Sequence, residues 1–408
     1  MIALVGLLVP GLRAAAQSGP ARRDSLTEQT AAAPARPVVP GQDVADIVHR
    51  LFPRLPAAQH DSLALQSGHA FVWVVVTPGY ALQTRLLLDG VTNVAFQRPR
   101  ANMSTIGSEL IYTQNKQGVL TIASSIWASD NRVNWVGDWR LMHFPEDTYG
   151  LGTRTLASAP LAMNFNYLRF YQSALRKIGP DLYAGLGYQL DYHWQVVTAV
   201  SPADQPVLGE YSASVNGSSV SSGITLNFLM DSRGNAINPT GGMYANVVLR
   251  PNLQRLGSDT NYQSLLLDVR KYLRLPNTGG NILAFWSYSW LTLSGNPPYL
   301  DLPSTGWDTY GNVGRGFIQG RFRGRNLLYG EAEYRFAITR NRLLGGVVFA
   351  NAQSAAEPLT QQLLKVVPAA GVGLRLRINK VSGTNLAIDY GLGADGSRGL
   401  FFNLGEVF

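Results

Sequence analysis

Leu182-Tyr183-Ala184-Gly185-Leu186-Gly187-Tyr188-Gln189-Leu190-Asp191-Tyr192-His193-Trp194 changes character at every step. Leu182, Ala184, Leu186, Tyr188, Leu190, Tyr192 and Trp194 make one apolar face, while Tyr183, Gly185, Gly187, Gln189, Asp191 and His193 make a polar one. Period two belongs to an extended strand, whose side chains point alternately to opposite faces. The pattern returns at Val372, Leu374, Leu376 and Ile378 against Gly371, Gly373, Arg375, Arg377 and Asn379. It returns again at Leu386, Ile388, Tyr390 and Leu392 against Ala387, Asp389, Gly391 and Gly393, and at Leu328, Ala332, Tyr334 and Phe336 against Tyr329, Glu331, Glu333 and Arg335.

Such alternation fits a soluble sandwich with its apolar face inward or a membrane barrel with its apolar face outward. Three features favour the barrel. The candidate strands outrun the 5 or 6 residues usual in soluble sheets and match the roughly 9 to 11 that cross a bilayer at a tilt. Aromatics gather toward strand ends at Trp127, Trp135, Trp139, Trp194, Tyr288 and Trp290, as interface girdles do. The polar faces hold Asp, Glu and Arg, which a dry core rejects and a wet lumen accepts. Composition agrees: of 408 residues only 15% are charged, 46% are hydrophobic, and mean hydropathy is −0.01. That excludes bulk disorder, and no run approaches the roughly 18 apolar residues of a spanning helix.

The fold expected is therefore all-β, a single antiparallel transmembrane β-barrel occupying 68–408. Sixteen strands are predicted, at 84–97, 103–114, 117–128, 131–144, 160–174, 181–197, a weak one at 208–217, 219–232, 242–253, 260–274, 281–294, 325–338, 343–354, 367–380, 383–394 and 399–408. An even number suits a bacterial single-chain barrel. The long gap at 295–324, with Pro297, Pro298, Pro303 and a run of glycines, reads as a functional loop folded into the lumen.

Ahead of the barrel, Ile2 to Leu12 is apolar and Ala14-Ala15-Ala16 precede Gln17, so 1–16 reads as a signal peptide. Residues 17–67 are rich in Ala, Pro, Arg and Gln and read as a flexible periplasmic segment. Within it, Val44, Ile47, Val48, Leu51 and Phe52 stand at helical spacing, predicting a short amphipathic helix over 43–52 that is either exposed or docked. The chain has no cysteine, and its five histidines, His49, His60, His69, His143 and His193, form no pair at metal-ligand spacing. No Gly-x-Ser-x-Gly elbow or phosphate-binding glycine loop occurs. The residues nominate no enzyme and no cofactor. A net charge of +8, carried by arginines spread through strands and loops, points to lumen lining and anionic lipopolysaccharide rather than nucleic acid.

Gly314-Arg315-Gly316-Phe317 in the long loop is followed by a strand reading Glu331-Ala332-Glu333-Tyr334-Arg335-Phe336. Asp231-Ser232-Arg233 leads to Pro239-Thr240-Gly241-Gly242 between two strands, and the sequence closes on Phe402, Gly405 and Phe408. Together these resemble the BamA/TamA superfamily, the bacterial surface antigen family, in a short form lacking POTRA domains, for which 17–67 leaves no room. Thr77-Pro78-Gly79-Tyr80 and Phe144-Pro145-Glu146-Asp147-Thr148-Tyr149-Gly150-Leu151-Gly152 add to the likeness.

The resemblance implies that Arg315, flanked by Gly316 and Phe317, folds back to an acidic wall to which Glu333 contributes, bracing the barrel or gating it. The family's Phe-x-Asp-x-Gly stands here as Phe349-Ala350-Asn351-Ala352-Gln353, so Asn351 brings no charge and Glu331 or Asp389 is the candidate substitute. Asp231, Arg233, Pro239 and Gly242 would shape a periplasmic turn, and Phe402, Gly405 and Phe408 a targeting signal. It further implies a non-enzymatic role in outer-membrane protein assembly or transport, with a weak seam between the first strand, 84–97, and the last. The alternatives are a passive diffusion channel and an accessory barrel of a larger envelope complex. Expected partners are outer-membrane lipid and lipopolysaccharide, with a periplasmic or envelope protein engaged through 17–67.

Overall fold

The computed structural model describes residues 41–51, 70–81, 84–198, 208, 211, 217–356, 362–363, 365–380 and 382–408. The expected signal peptide, and most of 17–67, lie outside them. Among the described residues seventeen strands follow one another around a barrel, and every pair of hydrogen-bonded neighbours is antiparallel: β1 (Phe71–Ala81), β2 (Arg85–Gln97), β3 (Met103–Thr113), β4 (Gly118–Trp127), β5 (Val133–His143), β6 (Glu146–Thr148), β7 (Leu161–Gly179), β8 (Leu182–Thr198) and β9 (Gly217–Asp231) form the first part. The second part is β10 (Gly242–Asn252), β11 (Tyr262–Arg274), β12 (Ile282–Gly295), β13 (Asn326–Ala337), β14 (Leu344–Ala355), β15 (Val367–Arg377), β16 (Asn385–Gly393) and β17 (Arg398–Leu404). β5 and β6 both pair with β7, end to end, because Phe144 and Pro145 interrupt one stave. Sixteen staves result, and the barrel is nearly closed.

Alternation does in the structure what the sequence says. Leu186, Phe228, Val348, Leu374 and Leu392 are exposed on the outer face, and Asp191, Asn227, Glu331, Arg375 and Asp389 are buried on the inner one. Tilted, hydrogen-bonded staves satisfy the backbone internally, which is the condition for crossing lipid.

Three differences from the sequence reading concern where strands begin and end. The first strand is β1, not 84–97; it pairs with β2 along its whole length, from Phe71 opposite Ala95 to Ala81 opposite Arg85. Most of the expected weak strand at 208–217 lies outside the described residues, and β9 starts only at Gly217. The last strand stops at Leu404 rather than 408, where Gly405 takes φ +100° and turns the chain inward.

The seam therefore lies between β1 and β17. These two strands touch, yet no ladder joins them among the described residues. β1 carries Pro78, which has no N–H to give, and proline in a sheet belongs at an edge.

The helix α1 (Val44–Leu51) is capped reciprocally: the Asp46 N–H donates to Asp43 Oδ1 at 3.0 Å, and the Asp43 N–H to Asp46 Oδ2 at 3.0 Å. It is docked. Gln42 donates to the Asn341 carbonyl, the Lys380 N–H donates to Asp43, and the Lys380 ammonium reaches Asp46 at 2.6 Å. Burial works against the Asp46 charge, but the Lys380 ammonium and the Asp43 N–H outweigh it and lower its pKa.

Candidate functional site

Alternation along β13 aims Glu331, Glu333 and Arg335 at the lumen, and along β16 it aims Asp389 there from another wall. The chain from 296 to 325, between β12 and β13, brings Arg315 to both. All three guanidinium nitrogens are used: Nε donates to Glu331 at 3.4 Å, one terminal nitrogen to Asp389 at 2.6 Å, and the other to Glu333 at 2.5 Å and to the second oxygen of Glu331. Arg315, Glu333 and Asp389 are 0% exposed. The guanidinium lies 3.9 Å over the Phe349 ring, and the Asn351 amide donates to the Arg315 carbonyl at 2.9 Å. Asn351 thus holds the tip's backbone, while the charge comes from Glu331, Glu333 and Asp389.

Gly316, at φ +103°, fits where no side chain could, with the wall at Ala369 and Gly393 within 3.3 Å of a would-be Cβ. Phe317 packs against Phe322 in an apolar cluster with Val313, Leu327 and Ala369.

The network spreads from Arg315 in two directions. Arg375 donates to Asp389 at 2.6 Å and to Glu406 at 2.8 Å, and Arg335 donates to Glu333 at 2.6 Å and to the Phe408 carbonyl at 2.9 Å. Glu406 and Phe408 belong to the inward-turned tail. The Phe408 ring is stacked on Trp286 at 5.2 Å, and Asn312 of the loop donates to the Val407 carbonyl at 2.9 Å. Of the three terminal residues singled out from sequence, Phe402 is 43% exposed on the outer face, Gly405 makes the bend and Phe408 is buried in the lumen.

Asp231 and Arg233 form a bidentate pair, both bonds 2.8 Å, with the guanidinium 4.4 Å over Tyr244. Pro239 is buried, and Gly242 at φ +91° passes where a Cβ would meet the Ser232 carbonyl at 2.5 Å. The turn they frame crosses the barrel mouth. Asn235 donates to the Ser382 carbonyl at 2.7 Å, Asn238 to the Gly383 carbonyl at 3.0 Å, and the Glu406 N–H to the Ile237 carbonyl at 3.0 Å.

On the other wall, Arg169 and Arg250 engage Asp138 and Asp191 beside a cavity of about 180 Å³ beneath the loop, with Tyr171, Tyr288 and Trp307 among its walls. Asp301 of the loop closes it: burial, reinforced by the Asp191 charge, pushes its carboxyl up to about 8. His143 is exposed and bonds Asn166, and no group of three metal-ligating side chains occurs among the described residues.

Sequence reasoning did not assign Arg335, Arg375 and Glu406 to this network. Their signal was present, since each shares the inward parity or the tail of a residue already named.

The model of the Omp85 superfamily domain matches residues 127–408. Among solved structures the barrel is similar to BamA from Haemophilus ducreyi lacking POTRA domains 1-3, at 14% identity and a TM-score of 0.52, covering 83% of this chain and 70% of that one. It is also similar to CdiB from Acinetobacter baumannii, at 11% identity and a TM-score of 0.52, covering 82% of this chain and 59% of that one. Identities this low speak for the fold alone. The comparison with curated proteins found no match. The family match spans more than two-thirds of the sequence and takes in both the arginine-bearing loop and the seam strand β17: the chain belongs to the Omp85 superfamily, as an integral outer-membrane barrel whose family works in outer-membrane protein assembly or transport.

Proposed function

We propose that this barrel assists the insertion or passage of proteins at the outer membrane without enzymatic chemistry, with the Arg315 loop as lumen plug and the β1–β17 junction as the exit toward lipid. The observation that carries the reading is the seam, where neighbouring strands touch without a ladder among the described residues. Unpaired edge groups are a template for another strand, so such a junction suits a client that adds itself to the sheet. In this reading Arg315, Gly316, Phe317, Glu333 and Asn351 hold the plug, and Asp231, Arg233, Pro239 and Gly242 hold the turn that spans the periplasmic mouth. Phe402, Gly405 and Phe408 act in targeting, and α1 gives 17–67 a fixed seat from which to engage a periplasmic or envelope partner.

The test is assembly itself. A urea-unfolded outer-membrane barrel, diluted into liposomes carrying the purified protein, should become protease-resistant faster than with empty liposomes; equal rates overturn the reading.

A passive channel is the second reading, favoured by the charged cavity beneath the loop. Planar bilayers separate the two. The unmodified protein should be nearly silent and a variant lacking 308–323 should conduct; large, steady conductance from the unmodified barrel would hand the argument to the channel.

A further inference from the structure

The loop has a second anchor on the opposite wall. Arg323 is 1% exposed and donates to Glu146 Oε1 at 3.3 Å and to the carbonyls of Tyr299 and Leu300, each at 3.1 Å. Its own carbonyl accepts from the Gly152 N–H at 2.7 Å. Glu146 comes from β6, the strand piece displaced by the break at Phe144-Pro145, and Gln117 fixes that break by donating to the Pro145 carbonyl at 2.7 Å. Thr148, two residues on, shares a 2.5 Å hydrogen bond with the Tyr299 hydroxyl.

The neck of the loop is tied to itself as well. Thr305 donates to the Phe322 carbonyl, Gly320 to the Thr305 carbonyl and Gly324 to the Pro303 carbonyl, so 303–305 and 320–324 are tied together. Apolar packing repeats the division. Tyr299, Leu302 and Trp307 pack with Phe144, Met163, Phe165 and Tyr167 of one wall, while Val313, Phe317 and Phe322 pack with Trp286, Tyr329 and Val367 of the other.

We infer that Glu146 and Arg323 are a second, independent latch, so that the loop spans the lumen as a beam with two feet rather than hanging from Arg315 alone. The inference rests on the plug reading above and names the residues that position the plug. The two feet differ in quality. Every nitrogen of the Arg315 guanidinium is bonded, whereas Arg323 holds Glu146 by a single bond of 3.3 Å and its Nε is buried with no partner among the described residues. Buried polar groups left unsatisfied weaken a joint, so the Glu146 foot is the easier one to lift. Lifting it alone leaves the other foot seated, and the lumen stays obstructed.

Single-channel conductance tests this with Arg315→Ala, Arg323→Ala, their combination and the 308–323 deletion, each first shown to be folded by heat-modifiable migration on gels. Each single variant should pass no more than about a tenth of the deletion's conductance, and the double variant about half or more. The charge exchange Glu146→Arg with Arg323→Glu, placed on Arg315→Ala, should restore closure, which loss of packing alone would not allow. If Arg323→Ala does not fold, Glu146→Gln on Arg315→Ala replaces the double variant and should conduct likewise.

Arg315→Ala conducting as fully as the deletion overturns the second latch, and so does a double variant that conducts no more than Arg315→Ala. A silent deletion variant overturns the plug reading and the inference with it; a conducting deletion beside a silent double variant overturns the inference alone.

Discussion

Replacing Arg315 with Ala should lower the barrel's stability by about 3–5 kcal/mol, the loss typical when one partner of a buried ionic group is removed. The reason lies in what stays behind. Glu331, Glu333 and Asp389 converge on this guanidinium with essentially no exposure, and after the substitution only Arg335 and Arg375 remain beside them to balance three carboxylates and Glu406. Water could enter only by pushing the loop aside, because Gly316 and Phe317 sit on the same wall. Urea unfolding of the detergent- or lipid-embedded protein should show the midpoint falling with an unchanged slope. Arg315→Lys should recover less than half of the loss, since an ammonium is a point charge and cannot present a planar fork to carboxylates on two walls. A loss below about 1 kcal/mol would mean that the carboxylates are solvated and the loop stands clear of them.

A second substitution reaches the same tip without touching any charge. Gly391 on β16 faces the loop, and a Cβ there would lie 2.7 Å from the Gly316 nitrogen and 2.8 Å from its Cα. Both are backbone atoms and cannot swing away. Gly391→Ala should therefore cost about 1–3 kcal/mol through overpacking. In the variant lacking 308–323 the obstacle is gone, and the same change should be neutral or slightly stabilising, because alanine loses less backbone entropy than glycine in a strand. The two measurements close a cycle that isolates the contact. An equal loss in both backgrounds would place the damage in the β15–β16 ladder instead and sink the idea that the tip presses on Gly391.

Where the sequence alternates cleanly, the fold was legible to within a few residues. β8, β13, β15 and β16 come straight from parity, because lipid on one side and a wet lumen on the other impose period two. β1 was not legible for the same reason. Phe71-Val72-Trp73-Val74-Val75-Val76 is apolar at every position and then meets Pro78-Gly79, so neither alternation nor an uninterrupted strand announces it. What identifies it is only its partner, the alternating β2.

The Arg315 neighbourhood was legible in part. The loop, the arginine and the inward parity of Glu331, Glu333 and Asp389 are all local patterns. That β13 and β16 close on one guanidinium is a property of the whole barrel, which no window of sequence contains. Glu146 and Arg323 show the limit more sharply, since they stand 177 residues apart and no local pattern pairs one with the other.

The strand that ends the barrel has a consequence for the bilayer around it. β17 has seven residues, β7 nineteen. At about 3.4 Å per residue and a tilt near 40°, seven residues raise a wall only about 18 Å high, against the roughly 25 Å apolar band of such barrels. Lipid beside β17 must compress by several ångströms, at a fraction of a kcal/mol per ångström. Elastic energy is thus held in the membrane at one point on the circumference. By this geometry the bilayer should be thinner beside β17 than beside β7, and a polar segment crossing there would have the shorter path through hydrocarbon.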